Sequence, residues 1–203
     1  MAGKWSQTAV HGGYSYLIPG DNRDSFFTRD PNGNSQFVWA QNVNSGYDTW
    51  KIKLGYVNKY WDSYGEEYDL ITSGRNYKPA MAYDAQKNMW LFWELSEASG
   101  VKLVYQKRQQ NYYDYEAIYS PIVLEPSGAA NPALMNTADK GLVLAYEKGT
   151  EIVVRTIVNG QIGPKATVAY GKSPILSQDA SGTVWMAWIA TNGATVFAPL
   201  NLN

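Results

Sequence analysis

The chain has 203 residues, and 17 Lys and Arg against 18 Asp and Glu give a formal net charge of −1 and a pI near 5.8. This balance offers no electrostatic reason to expect nucleic acid, no apolar run is long enough to span a membrane, and the N-terminus shows no signal peptide. The absence of cysteine excludes disulfides, thiolate metal sites and cysteine nucleophiles, whereas 16 Tyr, 8 Trp and 18 Gly favour an all-β protein with many turns.

One spacing of three anchor residues occurs four times along the chain. In each copy the first anchor lies five residues before the second, and the second lies nine before the third. The anchors are Ser25, Asp30 and Trp39, then Pro79, Asp84 and Trp93, then Pro132, Thr137 and Tyr146, and finally Pro174, Asp179 and Trp188. Copies that recur every 40–55 residues or so and are rich in strand formers are typical of propeller blades.

Each copy predicts a small antiparallel sheet whose second strand ends at the third anchor. These second strands are apolar on both faces, as expected for a sheet that lies between two other sheets. Short turns containing Gly or Asp lead into third strands. The predicted third strands are 50–57, 101–108, 151–158 and 194–200, and the predicted fourth strands are 67–74, 115–124 and 165–172.

The last copy ends without a fourth strand, and residues 7–13 resemble residues 165–171 in pattern. The sequence therefore predicts a single domain over 1–203, an all-β, four-bladed β-propeller of antiparallel sheets whose ring is closed by the N-terminal strand joining the last blade. The predicted blades cover about 24–74, 77–124, 131–171, and 173–200 together with 5–12.

The segment from Ser177 to Trp185 resembles the Asp-box of sialidase-like and related BNR-type propellers, with one extra residue. The resemblance covers most of the chain as an architectural likeness and implies a propeller fold. It does not extend to the sialidase catalytic groups, since the arginine triad and the Tyr–Glu pair of that family have no matching motif here.

Candidate catalytic groups are weakly marked. His11, the only histidine, lies in the predicted closing strand and is expected to have no chemical role. The recurring Asp30, Asp84 and Asp179 are expected to accept backbone N–H groups in a hairpin turn, a role that Thr137 can also fill. Carboxylate pairs for glycoside hydrolysis exist, but no pair stands out. We therefore predict no catalytic residue, metal site or cofactor.

Aromatic residues beside polar ones in the predicted loops favour binding, because sugar rings stack on aromatic faces and interfaces are rich in Tyr, Trp and Arg. The predicted ligand-binding residues lie on one face of the ring and are Tyr14, Tyr16, Arg23, Asp24, Tyr47, Asp48, Arg75 and Tyr77. The predicted interface residues lie on the opposite face and are Tyr60, Trp61, Tyr64, Tyr112 and Tyr113.

Three functions remain open from the sequence. The main hypothesis is a non-catalytic, lectin-like recognition module for carbohydrate or a cell-surface polymer. The first alternative is an assembly protein, such as a virion head or tail component, that docks through its aromatic loops. The second alternative, a carbohydrate-active hydrolase or lyase, is the least favoured. The expected partners are a glycan or another protein, with oligomerisation possible.

Overall fold

The computed structural model of the protein describes the backbone of residues 8–11, 14–17, 21–42, 49–57, 68–110 and 115–202, and the side chains of 21–42, 49–55, 69–110 and 115–202. Every regular element in these ranges is a β-strand, and neighbouring strands pair antiparallel. The predicted all-β class of antiparallel sheets is confirmed.

The first two sheets each follow the chain from strand to strand. The first sheet runs in the order β3 (Asp21–Arg29), β4 (Ser35–Asn42), β5 (Lys51–Val57) and β6 (Tyr68–Ile71). The second sheet consists of β7 (Arg75–Tyr83), β8 (Met89–Glu97) and β9 (Gly100–Gln110), with β10 (Tyr115–Ala117) and β11 (Ile122–Glu125) both paired to β9.

The third and fourth sheets share one long strand. The third sheet contains β12 (Ala129–Thr137), β13 (Gly141–Lys148), β14 (Glu151–Val158), the short β15 (Gln161–Ile162) and the first half of β16 (Ala166–Gln178). The second half of β16 pairs with β17 (Val184–Ala190), which pairs with β18 (Thr195–Pro199). The strand changes sheets at Gly171, where φ is +151° and a Cβ would lie 2.2 Å from the carbonyl oxygen of Ile189. Only glycine fits this corner.

The N-terminal strand does not pair where the sequence predicts. β1 (Thr8–His11) pairs with β2 (Tyr14–Leu17), and no pairing of β1 with β18 occurs in the described part of the chain. The predicted closure of the last sheet by the N-terminal strand is therefore not observed. A strand that finds an antiparallel partner two residues further along closes a much shorter loop than one that pairs with the far end of the chain.

The hairpin turns between the first and second strands carry the structural role predicted for their polar residues. Asp30 Oδ1 accepts the N–H groups of Asn32 and Asn34 at 2.9 and 2.8 Å. Asp84 and Asp179 accept equivalent N–H groups in their own turns. Thr137 Oγ1 accepts the N–H of Lys140 at 3.0 Å. The prediction that these residues stabilise turns is confirmed.

The core lies between successive sheets. In β8, alternate residues point in opposite directions: Leu91 and Trp93 pack against the first sheet, whereas Trp90 and Phe92 pack against the third. The predicted burial of this second strand on both faces is confirmed. In the fourth sheet Met186 packs against the third sheet, but the opposite face is exposed.

Candidate functional site

The first strand of each sheet contains the same local irregularity. The pairing register shifts within β3, β7, β12 and β16, which marks a β-bulge in each strand. At each bulge a residue other than glycine has a positive φ, namely Asp24 (+56°), Lys78 (+45°), Asn131 (+51°) and Ser173 (+55°). This left-handed conformation costs roughly 1–2 kcal/mol at each residue, and such strain is concentrated at functional sites.

The four bulges surround a cavity of about 250 Å³, here called the central cavity. Its lining residues come from the first strands of all four sheets and are Asp24, Ser25, Phe26, Lys78, Pro79, Asn131, Pro132, Ser173, Pro174 and Ile175. The four first anchors of the sequence pattern, Ser25, Pro79, Pro132 and Pro174, are all among them. Proline suits these positions because a bulged residue needs no partner for its missing N–H.

Carboxylates hold the bulges in place. Glu94 Oε1 accepts the backbone N–H of Asn131 at 2.7 Å, and Glu147 Oε1 accepts that of Ser173 at 2.6 Å. Each glutamate belongs to one sheet and fixes the bulge of the next. In the first sheet Ala40 occupies the equivalent place, and Asp24 Oδ2 instead approaches the N–H of Lys78 at 3.3 Å. Three acidic side chains therefore lie at or directly behind the cavity wall.

The two glutamates differ in their charged neighbours. Glu94 is only 6% exposed and lies 3.5 Å from Lys78 Nζ. Glu147 has no Lys or Arg within ion-pair distance in the described ranges, and Asn131 Nδ2 donates to its Oε1. The described residues leave Glu147 Oε2 without a hydrogen-bond donor. Glu147 is thus the glutamate of the two that has an oxygen free to meet a ligand among the described residues.

A second group of residues adjoins the cavity at Asp24. The Arg23 guanidinium carbon lies 3.5 Å above the Trp50 ring and 4.3 Å from the Tyr77 ring. Trp50 also forms a parallel bridge with Arg75. Four of the predicted ligand-binding residues, Arg23, Asp24, Arg75 and Tyr77, therefore lie together, although whether they bind a ligand stays a prediction.

The sequence missed three important residues of this region. Trp50 opens an apolar strand, so its sequence context indicates only a core residue. Glu94 and Glu147 each follow a third anchor directly, a signal that could have been found in two of the four copies.

The remaining predicted site residues cannot be placed as side chains. Tyr14 and Tyr16 lie in β2, where only the backbone is described. The others lie outside the described residues and are Tyr47, Asp48, Tyr60, Trp61, Tyr64, Tyr112 and Tyr113. The proposed aromatic interface therefore stays a prediction.

A separate charged cluster between the second and third sheets has a structural explanation. Glu125 accepts from the Tyr146 hydroxyl at 2.8 Å and lies 3.0 Å from Lys148 Nζ and 3.2 Å from Arg155 Nη2. Burial opposes ionisation of Glu125, but the bonds from Lys148, Tyr146 and Arg155 outweigh it and lower its pKa. Burial raises the pKa of Tyr146 to about 12. Glu125 thus stays ionised with its partners satisfied, which suits packing rather than proton transfer.

Two further site types find no support in the described ranges. No group of three or more His, Asp or Glu residues there is placed to hold a metal ion. No helix there is long and apolar enough to cross a membrane.

No protein-family model and no curated protein sequence matches this chain. Solved structures do match it. An endo-arabinase from Bacteroides thetaiotaomicron aligns with a TM-score of 0.62 at 12% identity, covering 95% of this chain and 81% of that one. A GH43 β-xylosidase/α-arabinofuranosidase from a compost metagenome, in complex with xylotriose, has a TM-score of 0.61 at 10% identity, with coverages of 88% and 73%.

An α-L-arabinofuranosidase from Podospora anserina, in complex with cellotriose, aligns with a TM-score of 0.56 at 12% identity, covering 90% of this chain and 64% of that one. At such identities the likeness shows the fold alone, a propeller-like all-β arrangement. The chain spans between 64% and 81% of the length of these three neighbours.

These neighbours correct two of the sequence interpretations. The architectural resemblance to propellers is supported at the level of a propeller-like all-β fold, but the neighbours described above give no support to its sialidase-like or BNR-type form. The main hypothesis of a non-catalytic recognition module, with its preference against an enzyme, is wrong, because the similar structures are arabinases, xylosidases and arabinofuranosidases. That hypothesis rested on aromatic residues of the predicted loops. The carboxylates beside the cavity lie instead on strands, with Asp24 on β3, Glu94 on β8 and Glu147 on β13. The neighbours give no support to a virion component.

Proposed function

We propose that this protein is a carbohydrate-active enzyme that hydrolyses glycosidic bonds, with the central cavity as its active site. The observation that carries the proposal is the cavity itself: Asp24 lines it, and Glu94 and Glu147 bind the N–H groups of two of the strained bulges around it. The fold of the similar structures supports it, since one of them is named an endo-arabinase and others are named as members of glycoside hydrolase family 43.

Glycoside hydrolysis needs one carboxylic acid to protonate the leaving oxygen and one carboxylate to activate water or attack the sugar. Asp24 lines the cavity and is partly exposed, so we assign it the second role. We assign Glu147 the role of acid, because its Oε2 has no donor among the described residues and is available to a ligand. We assign Glu94 a positioning role, because it is paired with Lys78 and holds the bulge at Asn131 that lines the cavity.

The size of the cavity limits the ligand that it can hold. Its volume is about 250 Å³. The volume is slightly below the usual range of about 300–1,000 Å³ for small-molecule sites, which suits one or two sugar units. From the names of the neighbours, we infer a pentose-containing glycan as substrate.

We also propose that the four sheets are the blades of one propeller domain. The first strands follow one another around the cavity, since β3 packs on β7, β7 on β12, and β12 on β16. This arrangement makes the cavity axial and explains why it is lined by the same position in every sheet.

The direct test is hydrolysis of arabinan and xylan oligosaccharides and of aryl pentosides by the purified protein. Asp24→Asn and Glu147→Gln should each lower kcat at least about a hundredfold, the usual contribution of a positioned acid or base. The amide side chains retain an acceptor oxygen for the bulge N–H groups, so the melting temperature should change little. The exposed Asp139→Asn and Glu116→Gln serve as matched controls.

Two results would contradict the proposal. One is the absence of hydrolysis across the whole substrate panel. The other is hydrolysis that survives both substitutions, which would place the chemistry elsewhere.

A further inference from the structure

Arg23 occupies an unusual environment for an arginine beside a cavity. Its guanidinium group contacts two aromatic rings, with the guanidinium carbon 3.5 Å from the Trp50 centroid and 4.3 Å from that of Tyr77. The two rings are tilted by 53° at a centroid distance of 5.7 Å. Cation–π contacts with two rings at once restrict the position of the guanidinium group.

The aromatic side of this stack is itself rigid. The backbone N–H of Trp50 donates to the carbonyl of Gly74 at 3.0 Å, and the backbone carbonyl of Trp50 accepts from Asn76 Nδ2 at 2.7 Å. Asn76 Oδ1 in turn accepts from Trp93 Nε1 at 2.8 Å. The platform under Arg23 is therefore tied to the buried core, and the arginine is preorganised.

The donors of Arg23 are not used by the described part of the protein. Its Nε is buried without a hydrogen-bond partner and lies 3.9 Å from Asp24 Oδ2, beyond hydrogen-bond distance. By contrast, Arg108 Nε donates to the Tyr115 carbonyl at 2.8 Å and Arg155 Nε to the Tyr146 hydroxyl at 3.1 Å. The Arg23 side chain is also 40% exposed. A restrained, partly exposed arginine whose Nε has no acceptor among the described residues is suited to an acceptor supplied by a ligand.

The chemistry of the Arg23 side chain favours an anionic acceptor. A guanidinium group stays charged at any ordinary pH and presents its N–H donors in a planar fork that matches a carboxylate. The nearest acidic side chain, Asp24, lies 3.9 Å from Arg23 Nε through its Oδ2 and leaves that donor without a hydrogen bond.

We propose that Arg23 forms a carboxylate-binding subsite at the edge of the central cavity and that the natural glycan carries an acidic sugar, a uronate. This inference rests on the proposed function, which it deepens by naming the substrate class. A guanidinium group binds a carboxylate through two parallel N–H···O bonds, a geometry that a neutral sugar cannot reproduce. Because Arg23 directly precedes Asp24, the acidic group would belong to the sugar being cleaved or to its immediate neighbour.

The test measures binding by calorimetry in the Glu147→Gln variant of the 203-residue chain, which should not consume the ligand. The probes are xylotriose and the same trisaccharide carrying one glucuronate side group. We expect the acidic probe to bind about ten- to a hundredfold more tightly at low salt, as for a charge-assisted pair, and the preference to shrink as salt is added.

Adding Arg23→Gln should abolish this preference and leave the affinity for xylotriose within about twofold, because only the charged contact is lost. Arg23→Lys retains the charge without the planar donor pair and should keep an intermediate preference. It also covers the case in which the glutamine variant fails to fold. Arg29→Gln is the matched control, since Arg29 is exposed on the same strand.

Equal binding of the two probes, no binding of the acidic probe at millimolar concentration, or an equal loss in Arg29→Gln would each overturn the subsite. The two proposals fail separately. Preferential binding of the acidic probe by a protein that hydrolyses nothing would retain the subsite and reject the enzyme. Hydrolysis of neutral and acidic glycans at equal rates by the unaltered protein would retain the enzyme and reject the subsite.

Discussion

The second and fourth sheets begin from the same sequence pattern and reach different environments. In the second sheet, Phe92 is fully buried, and its strand is covered on both faces by neighbouring sheets. In the fourth sheet, Trp185 and Phe197 stack with centroids 4.7 Å apart, yet Phe197 is 60% exposed and nearby Ile175 is 65% exposed.

This difference shows that an apolar sequence pattern alone does not determine whether a strand is buried. A strand in a stacked arrangement is buried on a given face only where a neighbouring sheet covers that face. The second sheet has such a neighbour on each side. The fourth sheet has only the third sheet beside it in the described structure, so half of its apolar pattern faces outwards.

The largest expected effect comes from one substitution made in both sheets. Phe92→Ala should lower the free energy of unfolding by about 3–5 kcal/mol, because it leaves a cavity in a closed core. Phe197→Ala should lower it by less than about 1 kcal/mol, since little buried area is lost beyond one ring stack. Urea unfolding followed by fluorescence measures both. Equal losses would show that the open face of the fourth sheet is covered in solution.

A smaller effect is expected at the joint between the second and third sheets. Glu94→Ala should cost about 1–3 kcal/mol of unfolding free energy, because it leaves the buried N–H of Asn131 without its acceptor. Glu94→Gln keeps an acceptor oxygen and should cost less. The exposed Glu116→Ala is the control for loss of a surface carboxylate. If the alanine and glutamine variants at 94 are equally stable, the bond does not hold the bulge.

The smallest effect concerns the hairpin turns and their dependence on pH. Hydrogen bonds from Ser181 and Trp185 lower the pKa of Asp179 from 3.8 to about 2. At Asp84 burial opposes ionisation, but bonds from Trp90 and Asn88 outweigh it and also lower the pKa.

Because the folded-state pKa lies below that of the unfolded chain, each carboxylate stabilises the fold above about pH 4, and for Asp179 this contribution disappears as the pH falls towards 2. Carboxyl NMR titration of the folded protein should show both depressed values. Asp179→Asn should make stability less sensitive to acid in this range. An Asp179 pKa near 4 would mean that the turn opens in solution.

Much of the architecture could be predicted from the sequence because its signals are local. Hairpin turns, apolar second strands and the anchor spacing depend on neighbouring residues, so the sheets were predicted close to where they lie. The predicted closing strand is not observed in the described part of the chain, because Thr8–His11 pairs with a nearby strand and pattern alone does not choose between a distant partner and a near one.

The candidate site was harder to predict for a different reason. Arg23, Asp24 and Tyr77 were selected for their residue types near a predicted loop, and they do lie together. Glu94 was missed because a single glutamate after a core tryptophan has no local signal of its function. Its importance comes from Asn131, a residue of the next sheet, which no local pattern reveals.

The strand shared by the third and fourth sheets has a mechanical consequence. Elsewhere the chain passes between sheets through short connections, such as the one from Ile71 to Arg75, that could be lengthened without breaking a ladder. β16 has no such connection, and its corner at Gly171 leaves no room for a side chain. A force that peels away the C-terminal strands is therefore transmitted directly into the third sheet, and the bulge at Ser173 that borders the central cavity lies on that path.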